Sequence, residues 1–132
     1  MTFIPALIAF GVITLAALAI EVLFTYATQG IGFGFSSNRP IVEKSALGLR
    51  VQRAYQNQVE SVAYIVPLLI AGHLSGLTGP MVELVVLAII AGRTAFMLLY
   101  YTGLPFLRIL GFVGGSMGSM MLAYFLLTMP SV

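Results

Sequence analysis

Long apolar runs separated by short polar segments dominate the sequence. The runs predict four helices, over residues 2–27, 45–74, 80–102 and 105–129. The segments between them contain Gly, Ser, Asn and Pro, which are typical of loops and turns. Because about 20 apolar residues suffice to cross a bilayer, the pattern predicts an all-α integral membrane protein. Residues 1–132 would form a single domain, a four-transmembrane-helix bundle with antiparallel neighbours.

The composition agrees with a membrane protein. Hydrophobic residues make up 60% of the chain and charged residues 8%, whereas a soluble domain is about 25% charged. The net charge of +2 arises from only six basic residues and does not indicate a nucleic-acid partner. The chain has no Cys and a single His, so we expect no disulfide, no metal site and no protein thiol nucleophile. Any sulfur chemistry must come with a ligand.

The basic residues are distributed unevenly along the chain. The first loop and the start of the second predicted helix hold four of the six, namely Arg39, Lys44, Arg50 and Arg53. Arg108 lies near the last turn, and the second loop and both termini carry no Lys or Arg. The positive-inside rule therefore predicts that the first and third loops face the cytoplasm and that both termini face outward.

A polar stripe enters the membrane with the second predicted helix. Arg53, Asn57 and Glu60 stand four and three residues apart, so on a helix they share one face over about 10 Å of axis. Intramembrane ionisable residues are costly and usually line a cavity or pair across helices. The stripe predicts a functional site near the cytoplasmic surface, the alternative being mutual neutralisation or snorkelling to the headgroups.

Two further arginines accompany the stripe. Arg93 lies inside the third predicted helix, with Tyr100 on about the same face. A buried guanidinium needs a partner, and we expect an anionic one, either in a structural ion pair or in a ligand. The membrane-embedded candidates are Glu21, Glu60 and Glu83. Arg108 follows Pro105 at the interface, where it can reach water or a bound anion.

The fourth predicted helix carries glycines at four-residue spacing, Gly111 with Gly115 and Gly114 with Gly118. Such pairs let membrane helices approach closely. The alternative is that Gly is simply common in membrane helices.

Taken together, these motifs resemble the MAPEG family, membrane-associated proteins in eicosanoid and glutathione metabolism. The resemblance rests on Gly48-x-Arg50-x-x-Arg53-Ala54-x-x-Asn57-x-x-Glu60, on Arg93-x6-Tyr100-x7-Arg108, and on four helices with a long first loop. The segment Leu104-Pro105-Phe106-Leu107-Arg108 is similar to bacterial microsomal glutathione transferase-like members.

The resemblance implies a homotrimer with glutathione bound between subunits near the cytoplasmic side of a bacterial inner membrane. Arg53 would take a glutathione carboxylate, Asn57 the peptide backbone and Glu60 the glutamyl ammonium. Tyr100 would contact the peptide from the neighbouring subunit. Supporting contacts would come from Arg93, and Arg108 would be the catalytic residue that stabilises the thiolate.

The function implied is a membrane-bound glutathione-dependent transferase or peroxidase acting on hydrophobic electrophiles that arrive from the lipid. Glutathione would be a substrate or cofactor, and the other partners would be hydrophobic small molecules, lipids and further copies of the chain. Two alternatives remain open. One is a non-catalytic lipid-binding protein of the same family, and the other is a small proton-coupled multidrug exporter that uses Glu21.

Overall fold

The computed structural model describes residues 1–129, so residues 130–132 of the predicted domain lie outside the described part. The helices, in chain order, are α1 (Phe3–Gln29), α2 (Ile31–Phe35), α3 (Ala46–Leu74), α4 (Pro80–Thr102) and α5 (Pro105–Thr128). The all-α prediction is confirmed for the described residues. The four long helices begin and end within two residues of the predicted ranges. The short α2 was not predicted, because its Gly-containing sequence is typical of a loop.

Local chemistry explains where the long helices begin and end. Ser45 caps α3, its hydroxyl accepting a hydrogen bond from the Gly48 amide at 3.0 Å, which satisfies a donor that the first turn leaves free. Pro80 and Pro105 occupy the first position of α4 and α5, where the missing amide hydrogen costs nothing. Gly103, with φ of 77°, ends α4 in the left-handed conformation that glycine adopts without strain.

Three of the helices, α1, α4 and α5, are long and apolar enough to cross a membrane. Together with the composition they identify an integral membrane protein. α3 has a comparable length of 29 residues, but charged and amide side chains in its first half make it less apolar than the other three helices.

Two buried apolar clusters hold the helices together. The larger lies at the end of the bundle where α1 and α4 begin and where α3 ends: Phe3, Ala6, Phe10, Ile65, Leu69, Val82, Val85, Val86, Ile89, Ile90 and Leu122. The smaller joins Ala17 of α1, Ala54 of α3 and Met97 of α4. α3 therefore packs against α1 and α4 through both its first and its second half.

The α4–α5 interface is built on glycine. A Cβ added at Gly92 would lie 2.5 Å from the Gly115 amide nitrogen, and one at Gly111 would lie 2.6 Å from the Phe96 amide nitrogen. Backbone therefore packs on backbone at this crossing, as small residues permit in membrane helices. The close approach fixes the start of α5, including Arg108, against the second half of α4.

Candidate functional site

The polar face of α3, which we define as Arg53, Asn57 and Glu60, lies on an unbroken stretch of helix. The side chains of Arg53 and Glu60 are exposed in a single copy of the chain, and that of Asn57 is half-buried. Glu60 accepts a hydrogen bond from the Gln56 amide at 3.2 Å. Within residues 1–129, neither Arg53 nor Glu60 takes part in an ion pair, so both charges are available to a ligand or to another subunit.

Arg93 is the largest fully buried side chain described, with 1% of its surface exposed. One of its terminal nitrogens, Nη2, donates to the side-chain oxygen of Asn57 at 2.8 Å and to its backbone oxygen at 3.1 Å. The same nitrogen lies 3.2 Å from the side-chain oxygen of Gln58. These contacts link α4 to α3 in the middle of the protein.

Of the two anionic partners considered for Arg93, a carboxylate of the same chain or a ligand, the first is not found within residues 1–129. The hydrogen-bond acceptors of Arg93 are amide and carbonyl oxygens, which bring partial negative charge without a second full charge to bury. The three candidate carboxylates are occupied or lie elsewhere. Glu60 contacts Gln56, Glu83 forms an ion pair of 3.5 Å with the amino terminus, and Glu21 lines a separate cavity.

Gln58 is a site residue that the sequence analysis missed. It is completely buried and uses both ends of its amide. Its oxygen accepts from Arg93, and its nitrogen donates to the Thr14 hydroxyl at 3.0 Å, which in turn donates to the Phe10 carbonyl at 2.8 Å. Its position is a signal that could have identified it. Gln58 is a polar residue on the face of α3 that contains Ala54 and on which apolar residues recur every three or four positions.

A column of two aromatic rings, Phe96 and Tyr100, connects Arg93 with Arg108. The Arg93 guanidinium lies 5.1 Å from the Phe96 ring, the two rings meet edge to face at 5.4 Å, and the Arg108 guanidinium lies 4.7 Å from the Tyr100 ring. Both cations are within the range of cation–π attraction. This aromatic column holds the half-buried Arg108 against the last turns of α4.

Arg50 fixes the end of α4 from the α3 side. Its Nε donates to the Tyr101 carbonyl at 3.1 Å, one of the carbonyls that a helix C-terminus leaves without an intrahelical partner. A positive charge at this end of a helix is also favourable. The sequence analysis gave Arg50 no separate role, although the bond lies one residue from Tyr100.

The structure thus links four of the six candidate residues by direct contacts, from Asn57 through Arg93 and the aromatic column to Tyr100 and Arg108. Arg53 and Glu60 form no hydrogen bond or ion pair with these four within residues 1–129. Beside an apolar bundle, the arrangement offers two accessible cations, Arg53 and Arg108, together with the amide of Asn57 and the carboxylate of Glu60. Such a set suits a zwitterionic ligand, and a cation at Arg108 can stabilise negative charge on a reacting atom.

A cavity lies elsewhere and contains none of the six candidate residues. It has a volume of about 480 Å³ and is enclosed by the end of α1, the first loop and the start of α3. Its lining includes Glu21, Phe24, Arg39, Lys44 and Val51. Val51 and Arg53 are about 160° apart around the helix, so the apolar lining at Val51 points away from the polar face of α3, although Gln52, next to Arg53, also lines the cavity.

The model of the MAPEG family matches residues 2–128. Comparisons with curated proteins and with solved structures gave no significant match. The family match covers all five helices and every residue of the candidate site. With the helix order and the polar motif already described, it confirms the resemblance expected from the sequence, and the chain belongs to the MAPEG family.

Proposed function

We propose that the protein is a membrane-bound glutathione transferase or peroxidase that acts on hydrophobic electrophiles. Membership of the MAPEG family supports a function in membrane glutathione or eicosanoid metabolism. Glutathione would supply the thiol, which fits a chain that has no Cys of its own. The apolar helices would give a lipid-soluble second substrate direct access from the bilayer.

The observation that carries this proposal is the position of Arg108. Its guanidinium rests on the Tyr100 ring at 4.7 Å, it is half-buried, and it lies one turn into α5 at the end of the bundle. A thiol with a pKa of about 8.5 is mostly protonated at neutral pH, and a nearby cation lowers that pKa. Arg108 would therefore stabilise the thiolate of bound glutathione electrostatically and would not remove its proton as a base.

The polar face of α3 complements the rest of a zwitterionic tripeptide. Arg53 offers a fork of donors to a carboxylate, Asn57 offers an amide to the peptide backbone, and Glu60 offers an acceptor to the glutamyl ammonium. Both charged side chains are exposed in a single copy of the chain. The match between the polar face and glutathione therefore rests on complementary charges and hydrogen-bonding groups, and on the exposure of Arg53 and Glu60.

We infer that α3 is the fourth membrane span. It packs against α1 and α4 in both apolar clusters, so it runs beside helices that are themselves candidate spans. Glu60 stands at the midpoint of α3, about 21 Å from either end. A carboxylate at that depth is costly against lipid, which supports a homotrimer in which a second subunit covers the polar face and completes the site.

We further propose a bacterial inner-membrane location with the site facing the cytoplasm. The support is the concentration of basic residues in the first loop and near the last turn, because cytoplasmic loops carry an excess of Lys and Arg.

The test is conjugation of glutathione to an aryl halide by the purified protein, with Arg108→Ala and Lys44→Ala compared. Lys44 lines the separate cavity, so its variant removes the same charge away from the site. We expect Arg108→Ala to lower kcat at neutral pH at least about tenfold, since one unit of thiol pKa is a factor of ten. Lys44→Ala should keep wild-type activity. The proposal fails if the wild type neither binds glutathione in calorimetry nor reacts with electrophiles or lipid hydroperoxides.

The cavity beneath the first loop favours a second candidate function, non-catalytic lipid binding. It combines apolar walls at Phe24 and Val51 with charges of both signs, at the end of an apolar helix where headgroups would lie. The cations are Arg39 and Lys44 and the carboxylates Glu21 and Glu43, which matches a zwitterionic phospholipid headgroup. This alternative expects phospholipid to remain bound after detergent exchange and to be lost from an Arg39→Ala, Lys44→Ala double variant. It also expects no thiolate absorbance when glutathione is added.

A further inference from the structure

The orientation of the Asn57 amide is fixed by its partner. Arg93 Nη2 lies 2.8 Å from Asn57 Oδ1. A guanidinium has only donors and no acceptor, so the atom that faces Arg93 must be the amide oxygen and not the amide nitrogen. The nitrogen, Nδ2, is therefore on the other side of the side chain.

Arg93 itself is held in place on several sides. It is buried, its guanidinium lies 5.1 Å from the centre of the Phe96 ring, and its Nη2 donates to the side-chain oxygen of Gln58 at 3.2 Å. Gln58 is anchored in turn by the Thr14 hydroxyl of α1. A buried, mutually bonded network of this kind resists rotation of any one member, because each movement would leave a buried polar group without a partner.

Asn57 Nδ2 donates to no acceptor among the described residues, and the Asn57 side chain is half-buried on the polar face of α3. An amide nitrogen can only donate. The group in a ligand that matches it must therefore be an oxygen acceptor, a carboxylate or a peptide carbonyl, and cannot be an ammonium.

We infer that Arg93 is a positioning residue that locks Asn57 with its oxygen inward, so that Asn57 presents a fixed N–H donor to an oxygen of the bound tripeptide. This inference rests on the proposed glutathione site. It also assigns Arg93 a different role from a direct ligand contact: its effect on binding passes through Asn57.

Asn57→Asp tests the orientation with little change in shape. Aspartate keeps an oxygen toward Arg93 and gains an ion pair with it, but it replaces the outward donor by a second acceptor. We expect the thermal midpoint of Asn57→Asp to equal or exceed that of the wild type, and glutathione binding in calorimetry to weaken at least about tenfold, the cost of one good hydrogen bond. Asn38→Asp, in the first loop, makes the same change in charge away from Arg93 and should bind as the wild type does.

A double-variant comparison tests the role of Arg93. Arg93→Met should weaken glutathione binding in the wild-type background and add nothing in the Asn57→Asp background, because its effect acts through Asn57. Arg93→Lys, which keeps a donor, should restore most of the loss. Additive effects of Arg93→Met and Asn57→Asp would mean direct contact of Arg93 with the ligand and would overturn the inference.

Two other results would also overturn it. One is wild-type affinity in Asn57→Asp, and the other is a large fall in its thermal midpoint, which would contradict the direct contact between Arg93 and the side chain at position 57. A wild-type protein that binds no glutathione would contradict the proposed function instead, and the thermal comparison would still test the contact between Arg93 and the side chain at position 57.

Discussion

Gly111→Ala should loosen the α4–α5 interface, and Gly114→Ala provides a control on the same helix. A Cβ at Gly111 would meet the Phe96 amide nitrogen at 2.6 Å and the Gly92 carbonyl oxygen at 2.9 Å. Both are backbone atoms, so no side-chain rotation relieves the overlap. A Cβ at Gly114 would meet only the Gly92 Cα at 3.8 Å, an ordinary van der Waals contact.

Both substitutions gain helix propensity, which raises the free energy of unfolding, but only one of them also introduces steric overlap, which lowers it. Gly to Ala in a helix interior gains about 1 kcal/mol of helix propensity. Overpacking of a close interface costs about 1 to 3 kcal/mol, and only Gly111→Ala incurs it. We therefore expect Gly111→Ala to be less stable than Gly114→Ala by about 1 to 3 kcal/mol, with Gly114→Ala at or above the wild type.

The free energy of unfolding can be measured by SDS titration of the protein in mixed micelles, followed by far-ultraviolet circular dichroism. The glutathione-conjugating activity of the folded variants gives a second measurement. Gly111 packs on the backbone of Phe96, so a shift of α5 should move Arg108 from the Tyr100 ring and lower kcat in Gly111→Ala alone. Equal stabilities of the two variants would refute the close helix crossing on which this reasoning depends.

Three further changes test other parts of the structure. Gln58→Leu should lower the free energy of unfolding by about 1 to 3 kcal/mol in the same titration, because it leaves Arg93 short of a buried acceptor; unchanged stability would contradict the network. Tyr100→Leu should lower kcat more than Tyr100→Phe, since only Phe keeps an aromatic face under Arg108 and a cation–π contact of about 0.5 to 2 kcal/mol; equal losses would contradict the aromatic column. Glu83→Gln should change the free energy of unfolding by less than about 1 kcal/mol, because its ion pair with the amino terminus is solvent-exposed, and a larger loss would show that this pair holds α1 against α4.

The long helices could be predicted from the sequence because their signals are local. Apolar runs give their lengths, and Ser45, Pro80, Gly103 and Pro105 mark their ends through capping and backbone preference. The five-residue α2 has no comparable signal. It is stabilised by contacts with more distant residues, including the Tyr26–Phe35 ring pair at 5.8 Å and the hydrogen bond from Arg39 to the Gly34 carbonyl.

The candidate site was only partly predictable, because some of its features depend on one helix and others on contacts between helices. The spacing of Arg53, Asn57 and Glu60 places them on one side of α3 whatever the rest of the fold, since it depends on helix geometry alone. The partner of Arg93 depends on how α4 packs against α3. Helix geometry alone could not show that Asn57 and Gln58, and no carboxylate within residues 1–129, accept its hydrogen bonds.

The sequence by itself determined a membrane-embedded helical chain of the MAPEG family, the extents of its long helices and the polar face of α3, since these follow from composition and from spacing along one helix. Only the tertiary structure decided that oxygens of Asn57 and Gln58 accept hydrogen bonds from Arg93 Nη2, that Gln58 connects Arg93 to α1, that two aromatic rings join it to Arg108, and that the cavity beneath the first loop contains none of the candidate residues. Each of these depends on distances between different helices. Such distances are set by side-chain packing and by the close glycine contacts of α4 and α5, which no periodicity within a single helix specifies.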